Sequence, residues 1–225
     1  MAEARARSGL LAVLTGDIVG SSSLAPAKLS AVIAAIESGA TKFESVYRGS
    51  IAGKADAYRG DSWQIAMTAP HLSLRLALYL RATILGGGIA DTRISIGIGA
   101  GNTLKQERIS LSTGDAFLRS GRGLDTIGAG RFSLAMPDAP ADTDTLARCV
   151  VSLLDQLAAG WSVKQADAAR RVLERPGKPD ADVADARLSD SERRNFTKLR
   201  NRAHVDRVLD ALTAFESLSF WDAGP

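Results

Sequence analysis

Cysteine is almost absent from this sequence. Its single Cys149 rules out an internal disulfide and any zinc site built on several thiolates. Histidine is nearly as scarce, with only His71 and His204, so chemistry that needs several imidazoles is excluded too. No apolar run approaches the roughly 18–20 residues that a membrane helix requires. Residues 10–14 are too short for the apolar core of a secretion signal, and a cytoplasmic protein with no membrane partner is expected. Any bound metal must be held by oxygen, which favours Mg2+ or Mn2+.

What is present suits a globular chain. Of 225 residues, 45% are hydrophobic and 24% charged, enough to bury a sizeable core. The net charge of +3 is small, but it is unevenly spread. Residues 187–207 hold seven basic side chains against three acidic ones, a local excess of four positive charges.

Along the chain, residues 10–15 form a continuous apolar run ending in Gly16-Asp17, which suits a central strand covered on both faces. Residues 28–47 have helical periodicity, with a break expected near Gly39. Segments 52–59 and 62–67 flank Gly60-Asp61 and read as a hairpin. Residues 71–85 read as a helix. Residues 93–100 alternate through Ile94, Ile96 and Ile98 as a strand, with 108–112 expected to pair beside them. A short helix at 114–126 and a strand at 131–136 complete a β–α–β–β–α–β–β–α–β order. The fold class expected is α/β, in the α+β sense: a mainly antiparallel, ferredoxin-like sheet with its helices on one face. Residues 1–137 form this domain, 138–145 (Pro-containing and polar) a linker, and 146–225 a small all-helical domain with helices at 146–159, 163–174, 180–188, 191–202 and 205–217.

Two positions carry a chemical signal. Asp17 ends the first strand in T-G-D-I-V-G-S-S, and Asp61 sits at the hairpin tip in Y-R-G-D-S-W. In a ferredoxin-like sheet that strand and that hairpin are neighbours, so both carboxylates can meet. Carboxylates so close must share a cation or a proton. Mg2+ held by two aspartates and triphosphate oxygens is a usual arrangement for phosphoryl chemistry. Gly20, Ser21 and Gly60 flank the pair and let a phosphate approach the backbone. Each feature also has an ordinary explanation, since Gly-Asp pairs serve turns and helix caps.

L-T-G-D-I-V-G-S-S resembles the metal-binding strand end of class III nucleotidyl cyclases, and Y-R-G-D-S-W-Q-I-A-M their second metal-aspartate hairpin. R-I-S-I-G-I-G-A-G and G-D-A-F-L-R-S-G-R-G-L-D are similar to the strand and helix that follow. Over nearly its full length the chain resembles the SatD family, small bacterial proteins with a cyclase-like domain and a helical C-terminal segment. The resemblance implies that Asp17 and Asp61 bind metal with help from the Ile18 carbonyl, that Arg122 stabilises phosphate charge, that an NTP-like nucleotide is the ligand, and that the protein is a homodimer. Three departures stand out. Ala57 occupies the place of a cyclase lysine, Leu118 that of the ribose-orienting asparagine, and Leu111 lies near a base-selecting position. The base and ribose readers are lost while the metal-phosphate set persists, so binding is favoured over turnover.

Residues 180–203 have the cadence of a helix-turn-helix similar to sigma-like and repressor-type modules, with a turn at Ser189 and a second, basic helix capped by Ser191. In such modules the second helix enters the major groove. Arg193, Arg194, Asn195, Lys198 and Arg202 are the candidate DNA contacts. The leading expectation is a regulatory protein that binds a metal-nucleotide and DNA. The alternatives are a nucleotidyl cyclase or transferase, and a catalytically dead protein–protein module.

Overall fold

The computed structural model describes residues 9–58, 60–137, 139–175 and 189–218. The apolar run that opens the chain is the central strand. β1 (Leu10–Ile18) lies between β3 (Ser62–Met67) and β4 (Thr92–Thr103), antiparallel to both. β2 (Ile51–Tyr58) pairs with the outer edge of β3, so the order β2-β3-β1-β4 is the ferredoxin-like one. β6 (Phe132–Ala135) adds a parallel strand beyond β4. A mixed α/β fold with a mainly antiparallel, ferredoxin-like sheet is the architecture.

The sheet is covered on both sides. Ala12, Leu14 and Ile18 of β1, Trp63, Ile65 and Met67 of β3, and Ile94, Ile96 and Ile98 of β4 pack beneath α1 (Pro26–Val46) and α2 (Ser73–Gly86). α1 runs unbroken through Gly39. A Cβ there would lie 2.9 Å from the Leu80 side chain, so the glycine serves close packing of α1 on α2 and breaks nothing.

The expectation that all helices share one face is corrected by α3 (Asp115–Thr126), which lies on the other. Val13, Ala66, Ala116 and Phe117 form a second, smaller core there. The reason lies in the residues between the isoleucines of β4. A Cβ at Gly97 would fall 2.3 Å from the Ala116 carbonyl oxygen, and one at Gly99 would fall 2.9 Å from the Ala116 nitrogen. The alternation Ile-Gly-Ile-Gly therefore presents a bulky face to one helical layer and a seat for a helix backbone to the other.

The strand expected at 108–112 is also corrected. Residues Ile109–Leu111 form a short 3-10 turn, and only Thr113–Gly114 (β5) pairs with the end of β4. Asp56 of β2 accepts hydrogen bonds from the Ser110 amide at 3.0 Å and its hydroxyl at 2.5 Å. A side chain from the neighbouring hairpin thus takes over this segment's polar groups, in competition with a ladder.

Beyond residue 140 the elements among the described residues are helices: α4 (Ala141–Ala159), α5 (Val163–Leu173), α6 (Asp190–Arg202) and α7 (Val205–Glu216). Residues on the two sides of the boundary expected at 138–145 contribute to one buried apolar cluster. Leu154, Ala169, Phe196, Val208, Leu212 and Phe215 belong to the same buried apolar cluster as Leu14 and Ile96. Of the proposed helix-turn-helix, the first helix, 180–188, lies outside the described residues, and one expectation for the second is corrected. Ser189, and not Ser191, caps α6: its hydroxyl accepts the Glu192 amide while Glu192 accepts the Ser189 amide at 2.8 Å. The S-x-x-E spacing required for that reciprocal cap starts at 189, since residue 194 is an arginine.

Candidate functional site

The site lies where β1 ends beside the tip of the β2–β3 hairpin. In the β1–β3 register Asp17 stands opposite Ser62, so Asp61 comes one residue further on, level with Ile18. The Ile18 amide donates to the Asp61 carbonyl at 3.2 Å and ties tip to strand end. Gly60 turns the hairpin with φ +86°, a conformation that suits glycine. Gly16 has no room for a side chain, since a Cβ would fall 2.3 Å from the Trp63 ring. That indole donates to Thr92 Oγ1 (3.3 Å), and Thr92 Oγ1 donates to the Asp17 carbonyl (2.6 Å), so the Asp17 backbone is braced through a buried chain.

The two carboxylates are engaged differently. Asp61 Oδ2 accepts the Ser21 hydroxyl at 2.5 Å. Ser21 opens a short 3-10 turn that starts from Gly20 in the left-handed conformation, φ 68°. Asp17 is held by charge: Arg93 Nε donates to Oδ1 at 2.9 Å and Nη2 donates to Oδ2, a two-pronged pair between directly opposed residues of β1 and β4. The Asp17 carboxylate raises the Arg93 pKa above the ordinary guanidinium value, because its hydrogen bonds favour the charged form.

Two aspartates and the nearby Ile18 carbonyl are hard oxygen donors, the right kind for Mg2+ or Mn2+ bound partly through ligand phosphates. Among the described residues no group of three or more Asp, Glu, His or Cys side chains forms a metal cage. The donor set fits a divalent ion in chemistry, with Arg93 as the competing cation.

Sequence reasoning missed Arg93. The signal was present as the first residue of R-I-S-I-G-I-G, but only the β1–β4 register puts it opposite Asp17. Also missed was a polar row beneath α3. Asp56, Gln64, Thr15, Ser95 and Ser133 stand opposite one another across five strands. Gln64 donates to Thr15 Oγ1 at 3.0 Å, and Thr15 and Ser120 hydroxyls bond at 2.7 Å. Gly123 of α3 lies over Ser95 and Ser133, where a Cβ would come within 2.3 Å of Ser95 Oγ.

Arg122 stands exposed on α3, with no ion-pair partner among the described residues. Leu118 and Leu111 are 57% and 55% exposed, and Ala57 is half-buried on β2, so none of these three offers a polar group to a base or sugar. Asp115 sits in the first turn of α3, where its charge complements the helix dipole.

On α6, Arg194, Lys198 and Arg202 are spaced four residues apart and exposed along one row. Arg193 is half-buried, and exposed Asn195 lines a shallow cleft of about 200 Å3 against α5, so these two flank the row. α6 meets α7 through a sharp corner at His204, φ 53°, spanned by the Arg200–Asp206 ion pair.

No protein-family model matches the chain, and no curated protein matches it. Among solved structures, a bacterial light-regulated adenylyl cyclase matches with a TM-score of 0.41 and 16% identity, over 56% of this chain and 42% of that one. The guanylyl cyclase Cya2 matches with a TM-score of 0.34 and 15% identity, over 52% of this chain and 69% of that one. The chain thus spans about two-fifths of the light-regulated enzyme. Among the described residues, no helix is long and apolar enough to cross a membrane.

Proposed function

We propose that the sheet end at Asp17 and Asp61 binds a nucleoside triphosphate with Mg2+ or Mn2+, and that the protein works as a nucleotide-responsive regulator of the kind its SatD-like sequence suggests. The observation that carries this reading is the adjacency of the two aspartates, brought to one sheet end by the β1–β3 register and held by the Ile18–Asp61 bond. Asp17, Asp61 and the Ile18 carbonyl would hold the ion, which would neutralise phosphate charge there. Exposed Arg122 supplies a guanidinium fork suited to phosphate oxygens. The backbone at Gly20, Ser21 and Gly60 lets phosphate come close. A homodimer is part of the same reading.

The three apolar replacements, Ala57, Leu111 and Leu118, favour binding over cyclisation. An enzyme that cyclises or condenses triphosphates is the second reading, and pyrophosphate release with Mn2+ that stops on Asp17→Asn would establish it. The test of the binding reading is a thermal-shift panel of ATP, GTP, CTP and UTP with Mg2+ or Mn2+. A bound nucleotide at about 100 times its Kd adds about 2.7 kcal/mol of stability. No shift with any combination refutes the reading and leaves a protein–protein module in its place.

The exposed Arg194–Lys198–Arg202 row supports a second role, contact with DNA phosphates. Gel shifts at low salt, with and without nucleotide, test it. No retardation under either condition rejects it.

A further inference from the structure

The geometry points to Arg93 as a built-in counter-cation of Asp17, one that a divalent ion must displace before it reaches that carboxylate. This rests on the metal-nucleotide reading above and adds to it a residue that sets how readily the site opens.

Asp17 and Arg93 are register partners on adjacent antiparallel strands, so their side chains leave the same face of the sheet. The guanidinium takes both carboxylate oxygens, Nε on Oδ1 at 2.9 Å and Nη2 on Oδ2. An ion approaching Asp17 therefore meets a positive charge already within bonding distance of both oxygens. Two cations cannot share that carboxylate at such range without strong repulsion. Asp61 poses no such barrier, because the group on its Oδ2 is the neutral Ser21 hydroxyl. The two aspartates are thus unequal: Asp61 is open to a metal, and Asp17 is gated.

The gate is one that can open. The Arg93 side chain is 35% exposed, and Asp17 is its only hydrogen-bonding or ionic partner among the described residues. A water-exposed guanidinium loses little when it leaves one carboxylate, since solvent replaces the contact. The measured affinity for metal is then the intrinsic affinity reduced by the fraction of molecules in which Asp17 stands open.

The test is titration of the full chain with Mn2+ alone, free ion being counted by electron paramagnetic resonance. It uses the wild type, Arg93→Met, Arg93→Lys, Asp17→Asn and the Arg93→Met/Asp17→Asn pair, each checked for folding by circular dichroism. Arg93→Met is expected to bind Mn2+ roughly three- to sixfold more tightly than wild type, the gain that an ion pair worth under about 1 kcal/mol allows, and the gain to vanish in the paired variant. Arg93→Lys is expected to fall between, because an ammonium keeps the charge and loses the fork. Equal Mn2+ affinity in wild type and Arg93→Met, with Asp17→Asn weaker than both, overturns the role of Arg93 and leaves the metal site standing. Absence of Mn2+ binding in every folded variant overturns the metal site itself. Should Arg93→Met fail to fold, Arg93→Lys decides, and affinity equal to wild type overturns the inference.

Discussion

Asp17 and Asp91 make the same kind of pair in two settings. Each carboxylate is about 20% exposed and each is gripped at both oxygens by an arginine fork from a neighbouring element. The partners differ. Arg81, which holds Asp91, is 2% exposed and also donates to the Ala158 carbonyl at 2.8 Å. Asp91 further accepts from Arg131 Nε (3.0 Å) and the Thr92 amide (2.9 Å), while its own carbonyl accepts the Val19 amide. Among the described residues the Arg93 side chain has Asp17 alone, and 35% of it meets solvent. A carboxylate with several partially buried partners is a joint of the fold. One with a single wet partner is available for exchange.

The largest effect should come from breaking the joint. Asp91→Asn leaves the Arg81 cation buried beneath α4 without its counter-charge, and should cost about 3 kcal/mol in chemical denaturation. Asp17→Asn should cost under about 1 kcal/mol by the same measurement, since its partner relaxes into water. Equal losses would break the comparison.

Gly97→Ala comes next. Its methyl would strike the Ala116 carbonyl and the Ser120 amide, at 2.3 and 2.4 Å, so α3 must shift at a cost of about 2 kcal/mol. Because α3 also carries Arg122, any nucleotide-dependent thermal shift should shrink in this variant by more than the stability loss explains.

The pH response sharpens the contrast further. Burial raises the Asp91 pKa, but hydrogen bonds and charge from Arg81, followed by Arg131, outweigh it and hold the group below the usual carboxylate range. A depressed folded-state pKa gives stability that is present above the unfolded value and lost as pH falls through the folded one. Wild type should therefore lose stability more steeply than Asp91→Asn between about pH 5 and pH 2, as followed by urea midpoints. The smallest effect on folding belongs to Arg194, Lys198 and Arg202. Replacing all three with alanine should change stability by under about 0.5 kcal/mol while removing any low-salt retention of DNA.

Much of this was readable beforehand, for definable reasons. A nine-residue central strand and the Ile94-Ile96-Ile98 alternation dominate local pattern, and Gly60-Asp61 marks its own turn, so the sheet and the aspartate adjacency followed from the sequence. What depended on long-range register did not. Arg93 joins the site only because β4 pairs with β1 one specific way. Likewise, Gly97 and Gly99 look like an unoccupied face until α3 settles on them. The packing of the C-terminal helices was out of reach of local pattern for a related cause. A Pro-containing polar stretch looks like a linker, while the apolar faces of α4, α5 and α7 complete one core with α2. Ser189 was legible as a cap from its S-x-x-E spacing, which outranks the later serine.

The central claim is that Asp17, freed from Arg93, takes part in holding a metal-bound nucleotide. The direct measurement is the melting temperature of wild type and Asp17→Asn with Mn2+ and each nucleoside triphosphate. At about 100 times Kd, one nucleotide should raise the wild-type midpoint by roughly 5–10 °C. The same mixture should leave Asp17→Asn unmoved. An equal rise in both proteins, or no rise in either, would contradict the account.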